Sequence, residues 1–195
     1  MSSLVSLALL GLLSLPALAG AGGSDDVAKP QPSDMAALIE CRGELAQFRA
    51  LAPALEDPLQ AVAMGWRPLP QSNLFLTEFV LTAPITVFGN TTDHIAFSGE
   101  SVLAIIDLPD PRPLARQLEL ETGIDTPAKA MFGKEVRSVE AADPQTGEPL
   151  IESMVLAVSN VDSHPGKTLV GCSYSVDRVD PEPPEPVPAV DTVVP

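Results

Sequence analysis

Histidine is scarce in this chain: His94 and His164 are the only two among 195 residues, and Cys41 and Cys172 are the only cysteines. So few imidazoles and thiols leave little from which to build a catalytic or metal centre. No C-x-x-C pair occurs, which argues against a redox dithiol. There is no phosphate-cradling glycine loop, no H-E-x-x-H and no calcium-loop pattern. The stretch "FSGES" around Ser98 and Ser101 matches neither G-x-S-x-G nor S-x-x-K, and a general base there would have to be one of the same two histidines. Acidic pairs such as Glu119 and Glu121, or Asp107 and Asp110, are more commonly solvated charge than glycosidase carboxylates. The expectation is a protein that is not an enzyme and carries no cofactor.

Basic residues are also few, 11 Lys and Arg against 26 Asp and Glu, for a formal charge of −15. Such a surface repels phosphate backbones and anionic lipid heads, so nucleic acid and peripheral membrane binding are disfavoured. Long apolar runs are missing apart from one, Leu4 to Leu15, followed by Pro16 and the small-residue stretch Ala17-Leu18-Ala19. That pattern predicts a signal peptide over residues 1–19, although the usual positive n-region is absent. A retained anchor is the alternative, but the run stops short of the roughly 20 apolar residues a span needs. No cysteine directly follows it, which argues against lipoprotein attachment there. The expected location is periplasmic or secreted, with no stable membrane span once the signal is removed.

In an exported chain two cysteines, one near each end of the folded region, predict a Cys41–Cys172 disulfide. A loop of about 130 residues closed this way stabilises a fold by roughly 4 to 5 kcal/mol in the chain-entropy model. Two buried free thiols are the alternative. Asn90-Thr91-Thr92 also fits a glycan acceptor.

Composition divides the chain. Residues 20–32, small and polar with two prolines, read as a flexible leader, and residues 180–195, rich in proline and acid, as a disordered tail. Ser33 or Asp34 predicts the cap of a helix whose apolar stripe runs through Leu38, Cys41, Leu45 and Phe48. A second helix is expected in "EDPLQAVAMG", with Asp57 as cap, Pro58 in the first turn and Gly65 as terminator. Apolar and β-branched runs then predict strands at 74–81, 85–88, 95–97 and 102–106. The order then restarts with a helix opened by Asp110 and Pro111, a short helix in "DTPAKAMFG", and strands at 134–139, 150–159 and 168–176.

Matching positions recur at near-constant spacing: Pro58 with Pro127, Gly65 with Gly133, Asn90 with Asn160 and His94 with His164. This ladder predicts a tandem duplication. The expected fold is α+β, two pseudo-duplicated helix-helix-antiparallel-sheet units over residues 33–108 and 109–179 with one disulfide. On that reading "NTTDH" and "NVDSH" are one turn written twice. The architecture is similar to the tandem units of the β-lactamase inhibitory proteins, which present a concave sheet to an enzyme; no motif residues match, so the resemblance is at the level of fold.

Two candidate sites remain. Trp66 and Arg67, in a Pro-bounded loop, have the residue types that anchor protein interfaces, with coverage of the core edge as the alternative for Trp66. His94 and His164, brought together with Asp93 and Asp162, would make a weak Zn or Cu site. The leading expectation is a non-enzymatic binding or inhibitor-like module that engages an envelope or extracellular protein. The alternative is an envelope-associated metal-binding protein or hydrolase using His94 and His164.

Overall fold

The computed structural model describes residues 32–179. The expected signal peptide, almost all of the leader, and the tail lie outside the described residues. The chain forms short helices α1 (Pro32–Ile39), α2 (Leu45–Arg49), α3 (Ala52–Glu56), α4 (Pro58–Ala63) and α5 (Arg112–Gln117). Its strands are β1 (Trp66–Pro68), β2 (Thr77–Val87), β3 (Asn90–Ser98), β4 (Ser101–Ile106), β5 (Glu121–Asp125), β6 (Ala130–Ala142), β7 (Pro149–Ser159) and β8 (Thr168–Arg178). All eight pair antiparallel in one sheet of order β1-β2-β3-β4-β8-β7-β6-β5. Each half of the chain therefore supplies a four-stranded meander, and the two meet where β4 pairs with β8.

This is a mostly-β fold and not a helix-helix-sheet unit repeated. The second half has one described helix, α5, where two were expected. In "DTPAKAMFG" the proline and glycine fit helix punctuation, but Thr126 closes a turn instead, its N–H donating to the Lys129 carbonyl and its Oγ1 accepting from the Lys129 N–H at 3.0 Å. Asn160 reinforces the turn: its Oδ1 accepts from Ala130 N–H at 2.8 Å and its Nδ2 donates to the Ala128 carbonyl at 3.2 Å. Gly133 lies within β6 opposite Ala157 and ends nothing. The supposed equivalence of Asn90 and Asn160 also fails. Asn90 begins β3 directly after the Gly89 turn, whereas Asn160 follows the end of β7. His94 is inside a strand and His164 is in a loop, so "NTTDH" and "NVDSH" are not the same turn.

The first helix is broken where a continuous stripe was expected. Cys41 takes a positive φ of 53°, with its N–H donating to the Leu38 carbonyl and the Arg42 N–H donating to the Ala37 carbonyl. That is the hydrogen-bond pattern of a Schellman stop, here with cysteine in the left-handed position that glycine usually fills. Helix α2 then starts afresh, with Glu44 and Gln47 forming a capping box. Helix α4 follows the sequence closely: Asp57 Oδ1 accepts from Leu59 N–H at 2.9 Å, Pro58 occupies the first turn, and Gly65 at φ +82° follows the last.

Side-chain alternation sorts the sheet into two faces. One carries the main core, in which Phe79, Leu81, Ile95, Phe97, Val102, Ala104, Val170, Cys172 and Tyr174 pack with Met35, Leu38 and Ile39 of α1. Cys172 reaches across to Cys41, closing the disulfide over a sequence separation of 131. Beside it the Tyr174 hydroxyl donates to the Leu38 carbonyl at 2.8 Å, and its ring stacks on Phe48 at 4.9 Å between centroids. The other face has a smaller cluster of Leu76, Ala96, Ile105 and Leu169, with Leu103 and Val161 against it. This second face holds the candidate site.

Candidate metal centre

Glu78 on β2 is paired in register with Ala96 on β3, and His94 on β3 with Val80 on β2. Glu78 and His94 are thus diagonal neighbours on one face, close enough for long side chains to meet. His94 Nε2 lies 2.8 Å from Glu78 Oε2. The connection between β7 and β8 adds the third group. It turns through His164, whose N–H donates to the Val161 carbonyl and whose carbonyl accepts from Lys167 N–H, and it places His164 Nε2 3.0 Å from the same Glu78 oxygen. Lys167 pairs with Asp107 at the far end of this turn.

The surrounding groups hold this arrangement in place. Ser72 Oγ donates to Glu78 Oε1 at 3.1 Å. Ser163 Oγ lies 3.0 Å from His164 Nδ1 and accepts from Asn73 Nδ2 at 2.9 Å. Asn73 itself shapes the 72–76 turn, its Oδ1 accepting from Phe75 N–H at 2.9 Å. Two segments far apart in sequence therefore close over the second face, each touching one ligand.

Only 4 % of the Glu78 side chain is exposed, against 9 % of His164 and 23 % of His94. Burial raises the Glu78 carboxyl pKa, but hydrogen bonds from His164, Ser72 and His94 together with the charge on His164 outweigh it and hold the carboxyl below its ordinary value. Glu78 is therefore an anion over the working pH range, set between two imidazoles. That is a buried carboxylate satisfied by partners, the condition under which such a group is tolerated.

His94 Nε2, His164 Nε2 and a Glu78 oxygen form a three-donor set lying within 4.8 Å of one another. The set differs from the one expected. Asp93 and Asp162 are exposed and belong to no such group among the described residues. Their place is taken by Glu78, which sequence reasoning missed; its signal was a lone carboxylate inside the otherwise apolar strand "TEFVL".

The other candidate anchor divides. Trp66 is 5 % exposed and packs between Phe79 and Phe97, at 5.6 and 5.7 Å between ring centroids. It covers the core, whereas Arg67 is exposed. The exposed apolar residues nearest the candidate site in sequence are Leu74 at 85 % and Phe75 at 80 %, on the turn whose Ser72 bonds Glu78 and whose Asn73 bonds Ser163.

No protein-family model matches the chain, and comparisons with curated proteins and with solved structures find no match either. Among the described residues no helix is long and apolar enough to cross a membrane.

Proposed function

We propose that this protein is an exported metal-binding module, with Glu78, His94 and His164 as the ligands of one divalent transition-metal ion. The observation that carries the reading is the convergence of both Nε2 atoms on a single carboxylate oxygen. Zinc bound at about 2.0 to 2.2 Å sets its tetrahedral ligand atoms roughly 3.3 Å apart. The observed separations of 2.8 and 3.0 Å from the shared carboxylate oxygen lie within about half an ångström of that value, and all three donor atoms lie within 4.8 Å of one another. Two imidazoles and a carboxylate suit Zn²⁺ and its first-row neighbours, while Ca²⁺ and Mg²⁺ prefer all-oxygen shells. The Ser163 hydroxyl supports the rest of the chemistry, since His164 Nδ1 needs an acceptor once its Nε2 binds metal.

The disulfide supports export, because such bonds persist in oxidising compartments. The same reading keeps residues 1–19 as a removed signal peptide and assigns the protein to the periplasm or the extracellular space. The two four-stranded meanders, within 33–108 and 109–179, act as one scaffold whose seam the site spans.

Titration of the purified protein with Zn²⁺ by calorimetry tests the assignment. One ion per chain is expected, with uptake lost in Glu78→Gln and in His164→Ala. Absence of stoichiometric uptake, or uptake unchanged in both variants, would refute it.

A second reading, a module that engages a protein partner, is favoured by one observation: Leu74 and Phe75 stand exposed at the tip of the 72–76 turn. Aromatic and aliphatic side chains displayed this way serve as interface anchors. In that reading the anchor is the turn beside the metal centre and not Trp66.

A further inference from the structure

The geometry points to a fourth coordination position on this ion that is filled from outside the chain, by a small monoanionic donor. The inference rests on the metal reading above. Three protein donors are characteristic of zinc sites that keep an open position, whereas structural sites close the shell with four. Here no fourth His, Cys, Asp or Glu joins the group among the described residues. Asp93 and Asp162, the carboxylates adjacent in sequence to the two histidines, stay on the surface.

The open position also has an approach. Glu78 and His164 are enclosed, and the exposed part of the cluster is the side of His94, at 23 %. An incoming ligand reaches the ion from there, its lone pair entering as a bound water leaves.

Charge selects the ligand. A divalent ion with one carboxylate and two neutral imidazoles carries a net single positive charge, which one anionic donor neutralises. The protein as a whole carries −15, so the long-range repulsion an anion meets grows in proportion to its charge and is about twice as large for a dianion as for a monoanion. The class is therefore a thiolate, a hydroxamate, a halide-like ion or a small carboxylate, and not a dianion such as sulfate.

Cobalt substitution reads this directly. The full chain is loaded with Co²⁺, whose visible d–d bands report coordination, and azide is then added as the monoanionic probe with sulfate as the divalent comparison at equal ionic strength. The expected result is a saturable band shift with azide and none with sulfate, both the bands and the shift disappearing when Zn²⁺ displaces Co²⁺ and when His164 is replaced by alanine. Cobalt bands that azide leaves unchanged would overturn this inference while the metal reading stands. A shift of equal size with sulfate would overturn the charge argument. No cobalt bands at all would sink both, and an azide shift that survives His164→Ala would place the ion elsewhere.

Discussion

The rings of His94 and His164 lie 6.0 Å apart between centroids, and each directs its Nε2 to one oxygen of Glu78. The contact joins a strand of the first meander to the β7–β8 connection of the second. A ligand that binds here favours the folded state, since the unfolded chain does not hold the three groups together. At a free concentration one hundred times Kd that linkage is worth about 2.7 kcal/mol. For a folded part of this size the expected rise in Tm is about 5 to 10 °C. Differential scanning calorimetry with Zn²⁺ and with EDTA measures it, and His164→Ala should abolish the difference.

Glu78 makes the metal-free protein sensitive to acid. Its folded-state pKa lies below the ordinary 4.5. Its contribution to stability is therefore present above about pH 4.5 and is lost as the pH falls through the lowered value. Glu78→Gln should lower stability at neutral pH by about 1 to 3 kcal/mol, because the imidazoles lose a charged acceptor. The variant's stability should then fall less steeply than the parent's below pH 4.5. Urea unfolding in EDTA at a series of pH values checks both slopes.

Much of the frame could be read from residue order alone. The Asp57, Pro58 and Gly65 punctuation of α4 is local chemistry, and so is the two-residue alternation that turns Cys172 inward. Local rules failed where a distant group decided the outcome. Pro127 and Gly133 satisfy the pattern of a short helix, yet Asn160 holds the backbone at 128 and 130 in a turn. The even spacing of the histidines mimics equivalence, but strand order brings them together from unlike positions, a mid-strand site and a loop. Glu78 stayed hidden for the same reason. A carboxylate in a strand reads as solvated until a loop from the other half of the chain covers it.

Trp66 and Phe75 should behave oppositely on truncation. Trp66→Ala removes a ring packed between Phe79 and Phe97 and should cost about 3 to 5 kcal/mol. Phe75→Ala removes a side chain that is 80 % exposed and should change stability by no more than about 0.5 kcal/mol. Chemical denaturation of the two variants separates them. Equal costs would mean that the exposed tip packs against something in solution.

The Cys41–Cys172 bond ties the end of α1 to β8 across most of the folded chain. Replacing both cysteines by alanine should lower stability by roughly 4 to 5 kcal/mol, chiefly by releasing the unfolded state. Thiol assay under denaturing conditions should find no free sulfhydryl in the parent protein before reduction. Because the bond lies on the helix-covered face and the Glu78, His94 and His164 cluster on the other, the effects of altering each should add.

Gly171 tests the seam itself. It pairs with Leu103 where β8 meets β4, and a Cβ at this position would stand 2.0 Å from the Val102 carbonyl oxygen and 2.7 Å from the Leu103 Cα. Both obstacles are backbone, so no rotamer change relieves the clash, and the strands would have to separate. Separation would disrupt the only strand pairing that joins the two meanders among the described residues. Gly171→Ala should therefore cost about 4 kcal/mol or more, in the range where a single substitution threatens folding. Gly89→Ala is the control: it too sits in a demanding backbone, at φ +78°, but its added Cβ meets nothing within 4 Å. Its cost should be about 1 to 2 kcal/mol, set by the left-handed conformation alone. Loss of zinc uptake in Gly171→Ala together with loss of the folded state, and retention of both in Gly89→Ala, would tie the metal centre to the closure of this seam.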